Sequence, residues 1–202
     1  LKPDLILTFS DVQANLTKQL ILEGFNVICF NQQSISEILS MIKYLGSLVG
    51  KVEESLNLVN EILQKINTIK KKTFRIKPKI YFEEWDDPYI SATRWVSEII
   101  EISGGVDIFA KKSRSQKALK RAVSSQDVIN KNPDIIFASW CGKKVNFDKI
   151  KKRQGWSSIN AVKTNSLFEI KSPIILQPGP AALTDGLSQI HDLILQWQKS
   201  QI

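Results

Sequence analysis

Apolar residues along the 202-residue chain alternate between two patterns. Short continuous runs mark buried strands, and apolar positions three to four apart mark amphipathic helices. "DLILTF" (Asp4 to Phe9) is a continuous run following a proline and predicts a strand. "DVQANLTKQLILEG" then reads as a helix stopped at Gly24, and "NVICF" (Asn26 to Phe30) as the next strand. Ser34 or Ser36 can cap a helix through Tyr44, with Glu37 in its first turn.

Val52, Leu56, Val59, Leu63 and Ile66 then fall on one face of "GKVEESLNLVNEILQKINTIKKK". The spacing predicts one helix of roughly 20 residues, about 30 Å long. No neighbouring segment reads as its hairpin partner, so it is expected to bridge two parts of the fold. Beyond "RIKP" the alternation restarts. "KIYFEEW", "DIIFASW" and "SLFEIK" read as strands. "TRWVSEIIEISGG", "SSQDVINKN" and "LTDGLSQIHDLILQWQKS" read as helices, and "GWSSI" as a loop or helical turn. Repeated strand–helix units predict an α/β fold with parallel sheets. "KPDLIL" and "NPDIIF" echo one another on either side of the long helix, which suggests two similar lobes.

Charge narrows this picture only slightly. The net charge is +8, with basic clusters at Lys70–Lys72, Lys111–Arg121 and Lys143–Arg153. No zinc-finger, RNA-recognition or glycine-rich phosphate motif accompanies them, so they read as solvated faces and no nucleic-acid partner is expected. No apolar run approaches the length of a membrane span. The opening "LKPDLILTFS" has neither the basic start nor the cleavage site of a secretory signal. Cys29 and Cys141 read as free thiols or one disulfide. His191, the sole histidine, lies on an apolar C-terminal helix and reads as structural.

Ligands of parallel α/β sheets bind beyond the C-terminal ends of the strands. By that rule Phe9 and Ser10, then Glu84, Trp85, Asp86 and Tyr89, then Trp140, and finally Lys171 and Ser172 are candidate binding residues. "YFEEWDDPYISATRW" concentrates acids and aromatics at one such end. Aromatic faces there would bury a large flat amphipathic ligand. Trp95, Trp156 and Trp197 are expected to be packing residues. Two other readings of the stretch are open. Glu84 and Asp86 could act as an acid–base pair. Glu83, Glu84, Asp86 and Asp87 could hold a hard cation, although the spaced glycine of a calcium loop is missing. "QPGPAALTDGL" reads as a proline-shaped turn, with Thr184 or Asp185 helping to begin the last helix.

"LKPDLIL", "GFNVICF" and "SISEILSMIKYLGSLVGK" followed by a long helix resemble the helical-backbone (class III) substrate-binding proteins of ABC importers. "PKIYFEEWDDPYISATRWVSEIIEISGGVDIFA", "NPDIIFASWCGKK" and "IKSPIILQPGPAALTDGL" are similar to the cobalamin-binding subgroup of that family. The resemblance covers essentially the whole chain. It implies two Rossmann-like lobes joined by a backbone helix, with ligand bound between them and no catalysis, cofactor or resident metal. Residues 1–49 would be the remainder of the N-terminal lobe, 50–72 the connecting helix and 73–202 the C-terminal lobe. Family members usually carry a further strand–helix region before "LKPD", so the first lobe is expected to be incomplete here. The implied ligand is cobalamin or another corrinoid, with haem or a ferric siderophore as alternatives. The implied partner is an ABC permease, and the implied location is the periplasm or a lipid-anchored extracytoplasmic site. A docking acid of the second lobe would fall at Gln126 or Asp127, where Gln126 departs from the acid.

Overall fold

The computed structural model describes residues 2–72 and 75–201. The boundary expected at residue 73 lies outside the described residues. Strands β1 (Ile6–Phe9) and β2 (Val27–Phe30) pair in parallel, from Ile6 opposite Val27 to Phe9 opposite Phe30, and helix α1 (Ala14–Leu22) connects them. This two-stranded sheet is the centre of the first lobe.

Helix α2 (Ile35–Leu48) begins at a capping box. The Ser34 side chain accepts from the Glu37 amide while the Glu37 carboxylate accepts from the Ser34 amide. Helix α3 (Val52–Lys70) is the long helix that the spacing predicts. Contrary to the expectation from the sequence, it has a hairpin partner in α2. The connection Val49–Lys51 turns at Gly50 (φ 70°) and returns α3 against α2. Ile38, Met41 and Ile42 there share a core with Val59, Ile62 and Ile66. The two helices cross where Gly46 meets Ser55, leaving no room for a β-carbon.

The second lobe is built on β3 (Lys79–Asp86), which pairs in parallel with β6 (Ile135–Ala138), itself parallel to β7 (Leu167–Glu169). On the other edge of β3, β5 (Val106–Asp107) pairs with its start and β4 (Tyr89–Ser91) folds back antiparallel on its end. A bulge lies between Glu83 and Trp85. The "DDPY" turn that makes this hairpin was not apparent in the apolar pattern. Helices α4 (Arg94–Ile102), α5 (Ala110–Ser113), α6 (Ser125–Lys131), α7 (Phe147–Lys151), α8 (Asn160–Lys163), α9 (Ser172–Ile175) and α10 (Leu187–Lys199) surround the sheet. A π-helical turn, Ala182–Gly186, leads into α10. Thr184 spends its hydroxyl on the Pro180 carbonyl there, and no side chain caps α10.

The sheet's two faces divide the core. Ile80, Phe82, Ile135 and Phe137 face α4 and α10 and join the core of α2 and α3. Tyr81, Ile136 and Ala138 face the opposite way, toward Trp140 and Trp156. This is the period-two alternation of a strand covered on both sides. Trp95, Trp156 and Trp197 are buried, as expected of packing residues. Cys29 and Cys141 are both free thiols. Buried His191 contacts the Ser103 carbonyl and Lys72.

Candidate functional site

The first wall of the site begins where β1 ends. Ser10 leaves the strand at φ 62° and ψ 175°, a region that residues other than glycine rarely occupy. Its amide donates to the Phe30 carbonyl of β2, and its hydroxyl accepts from the Val12 amide at 3.3 Å. The Phe9 amide donates to Gln13 Oε1 at 2.7 Å. These bonds fold Phe9–Gln13 into a tight projection that faces the second lobe.

Across from it lie Glu84 at the end of β3, Thr93 and Trp95 at the start of α4, the segment Gln116–Arg121, and Cys141 after β6. The two walls enclose a cleft of about 400 Å³, in the range of small-molecule sites. Trp95 is anchored in the wall, donating from Nε1 to the Ile175 carbonyl at 2.9 Å.

The carboxylates of the acidic stretch are each committed to a different cation. Arg121 grips Glu84 bidentately at 2.9 and 2.8 Å. Arg153 holds Glu83 at 2.6 and 2.9 Å, and Glu83 also accepts from Trp140 Nε1 and the Tyr81 hydroxyl. Asp86 is shared between Lys143 and Lys149. Burial pushes the Glu84 carboxyl above its ordinary value, and Arg121 offsets this only in part. Burial pushes Asp86 the same way, but its hydrogen bonds to the two lysines prevail and the net direction is down. Burial, with the Glu83 charge beside it, drives the Tyr81 hydroxyl well up. Aromatic faces complete the network: Lys143 lies 4.1 Å from the Trp85 ring, and Arg153 lies between Tyr89 (4.2 Å) and Trp156 (4.4 Å).

Of the residues that the strand-end rule selected, Phe9, Ser10 and Glu84 line the cleft. Asp86 and Tyr89 instead line a separate depression with Asp87, Lys149 and Arg153. Trp85 is half-buried under Lys143 and donates to the Asp87 carbonyl. Trp140 is buried in the second core, and its neighbour Cys141 takes the place in the cleft wall. Lys171 pairs with Glu169, and Ser172 opens α9. Gln126 and Asp127 are exposed in the first turn of α6, where the Asp127 carboxylate accepts from the Ser124 amide and hydroxyl. Glu84 and Asp86 do not pair with one another, so the acid–base arrangement has no support in their partners. Among the described residues no group of three or more His, Cys, Asp or Glu is placed to hold a metal ion. Gln13, Gln33, Trp95, Lys117 and Arg121 line the cleft without having been selected. Gln13 follows the end of β1 and Gln33 the end of β2, whereas Trp95, Lys117 and Arg121 directly follow no parallel strand and are brought there by the folded chain.

Two α/β lobes face each other across a cleft, with a long helix between their sequences. Residues 1–174 match the periplasmic binding protein family, and the chain belongs to it. It is 26% identical over 205 residues to the uncharacterized ABC transporter substrate-binding lipoprotein YvrC of Bacillus subtilis, covering 96% of this chain and 62% of that protein. It matches a solved structure from Staphylococcus epidermidis, described as a possible iron-binding (periplasmic solute-binding) protein, at 26% identity and TM-score 0.76. That match covers 95% of this chain and 76% of the other. It has the fold of the periplasmic vitamin B12 binding protein BtuF of Vibrio cholerae, at 22% identity and TM-score 0.71, covering 98% and 76% of the two chains. Among the described residues no helix is long and apolar enough to cross a membrane.

Proposed function

We propose that this chain is a substrate-binding protein of an ABC importer, taking a large metal chelate in the cleft and presenting it to a permease outside the cytoplasm. The observation that carries the reading is the cleft itself. Two lobes contribute opposed walls, an anchored tryptophan lies in one of them, and polar groups stand at the rim. Cobalamin or another corrinoid is the first choice, since the "FEEWDDPYISATRWVSEII" region is similar to that subgroup. Haem and ferric siderophores follow. Binding of this kind needs no bond to be made or broken. The permease would meet the second lobe at the exposed start of α6, with Asp127 supplying the charge that Gln126 does not.

Calorimetric titration of the chain with cyanocobalamin, haemin and a ferric siderophore tests the proposal. Saturable binding of one of them, weakened about tenfold or more by Trp95→Ala, is the expected result. Silence from all three would overturn it.

A further inference from the structure

Between Ile108 and Gln126 the chain carries six cations and no acid. Lys117 and Arg121 line the cleft, where Asp11 and Glu84 balance them. Lys111, Lys112, Arg114 and Lys120 lie outside that lining. All four are exposed, and among the described residues none of them forms an ion pair. Leu119 stands among them, 75% exposed in the helical turn Ala118–Arg121.

The segment is held from beneath. Besides gripping Glu84, the buried Arg121 guanidinium donates to the carbonyls of Ser115 (3.1 Å), Gln116 (2.9 Å) and Ser91 (3.3 Å). Lys112 donates to the Ala122 carbonyl at 2.8 Å. An exposed leucine alone is ordinary. Ringed by unpaired cations on a fixed backbone, it has the chemistry of a membrane-interface contact, in which an apolar side chain enters the headgroup layer while cations meet lipid phosphates. A soluble polyanion would match the charge but has no use for the leucine. Position points the same way. Only residues 122–124 separate the segment from α6, and the Val123 amide donates to the Tyr89 carbonyl of β4 at 3.0 Å. The segment thus adjoins the face proposed to meet the permease, which itself lies in a bilayer.

We infer that the outward side of residues 111–120 is a docking surface for an anionic bilayer, with Arg114 and Lys120 meeting headgroup phosphates and Leu119 entering between them. The inference rests on the reading of the cleft end as the permease-facing side, which sets the orientation of the segment. It assigns to the chain a contact with lipid beside the permease, separate from the ligand and from the permease itself.

Co-sedimentation with unilamellar vesicles tests this without chelate or permease, so its failure is distinct from failure of the cleft reading. Vesicles of phosphatidylcholine alone are compared with vesicles of phosphatidylcholine and phosphatidylglycerol in equal parts. The proteins are wild type, Arg114→Glu/Lys120→Glu, Leu119→Ser and Lys77→Glu/Lys163→Glu. Lys77 and Lys163 precede β3 and β7 at the other end of the strands, and their reversal removes the same charge. All five positions are exposed, and denaturant midpoints check that each variant is folded. Wild type should bind the anionic vesicles and not the neutral ones. Arg114→Glu/Lys120→Glu should lower the partition coefficient roughly tenfold or more, and Lys77→Glu/Lys163→Glu by less than about threefold. Leu119→Ser should lower it several-fold. An equal fall in the two double variants, or no fall in Arg114→Glu/Lys120→Glu, would overturn the inference. So would binding of soluble polyphosphate that Leu119→Ser leaves intact and that excess anionic vesicles fail to displace, since the surface would then belong to a polyanion.

Discussion

The two lobes start their strands with the same words and bury them very differently. "KPDLILT" leads into β1 and "NPDIIFA" into β6. All four residues of β6 are buried, but only Thr8 of β1 is. Helix α4 buries five residues, including Trp95, Ile99 and Ile100, whereas α1 buries none. Asp134 ties β6 to its neighbours, accepting from the Lys79 amide at 2.9 Å and from Asn160 at 3.2 Å. Among the described residues Asp4 contributes its backbone carbonyl, to Asn26 at 3.3 Å. A local Pro-Asp-apolar signal thus specifies a strand, while burial depends on what packs against it. The second lobe should therefore set global stability, and β1 and α1 should open at lower free energy.

Glu83 tests that division most severely. It is fully buried and satisfies Arg153, Trp140 and Tyr81 together. Glu83→Ala leaves the Arg153 guanidinium buried without a counter-charge. The expected loss is about 3–5 kcal/mol, read as a fall in the denaturant midpoint. A loss below about 1 kcal/mol would mean that the second lobe does not depend on this network. Gly46→Ala probes the boundary between the lobes. A β-carbon there would sit 2.3 Å from the Ser55 side chain and 2.7 Å from the Lys51 carbonyl. The clash should outweigh alanine's better helix propensity and cost about 1–3 kcal/mol by the same measurement.

Strand and helix positions were legible because each carries its own period. "NVICF" and "DIIFASW" contain β2 and β6, and "KIYFEEW" covers β3 up to its last residue, Asp86. The helical hairpin was hidden because Val49–Lys51 has the composition of an ordinary loop, and the return shows in the folded chain, in the contact of Gly46 with Ser55 and the core that α2 and α3 share. The basic clusters misled for a related reason. Arg121 and Arg153 read as surface charges, yet each is buried against a carboxylate 37 or 70 residues away. The strand-end rule found Phe9, Ser10 and Glu84 because it depends on topology. It could not foresee that Trp140 would turn inward to Glu83, leaving Cys141 in the cleft wall.

Acid titration sharpens the contrast within the second lobe. Asp86 is held below its ordinary pKa: burial alone would raise it, but the hydrogen bonds from Lys143 and Lys149 win. Its contribution is present above the ordinary carboxylate range and disappears as pH falls through the depressed value. Glu84 is raised, chiefly by burial, so its contribution is present at low pH and is lost as pH rises through the raised value. The stability gap between wild type and Asp86→Asn should widen as pH climbs through the acid range. The gap to Glu84→Gln should narrow over the same climb. Parallel curves for the two variants would contradict the opposite environments assigned to these carboxylates.

The gentlest probe lies on α1. Leu22 is 77% exposed and Val12, just before the helix, is 88% exposed. A hydrophobic side chain in water contributes little to folding, so Leu22→Ser and Val12→Ser should each change stability by no more than about 0.5 kcal/mol. Amide exchange on the same samples should show β1 and α1 exchanging well ahead of β3 and β6 in wild type. A larger loss at Leu22, accompanied by slow exchange across α1, would show that this face is covered in solution. The difference between the lobes would then belong to what each is packed against rather than to the strands themselves.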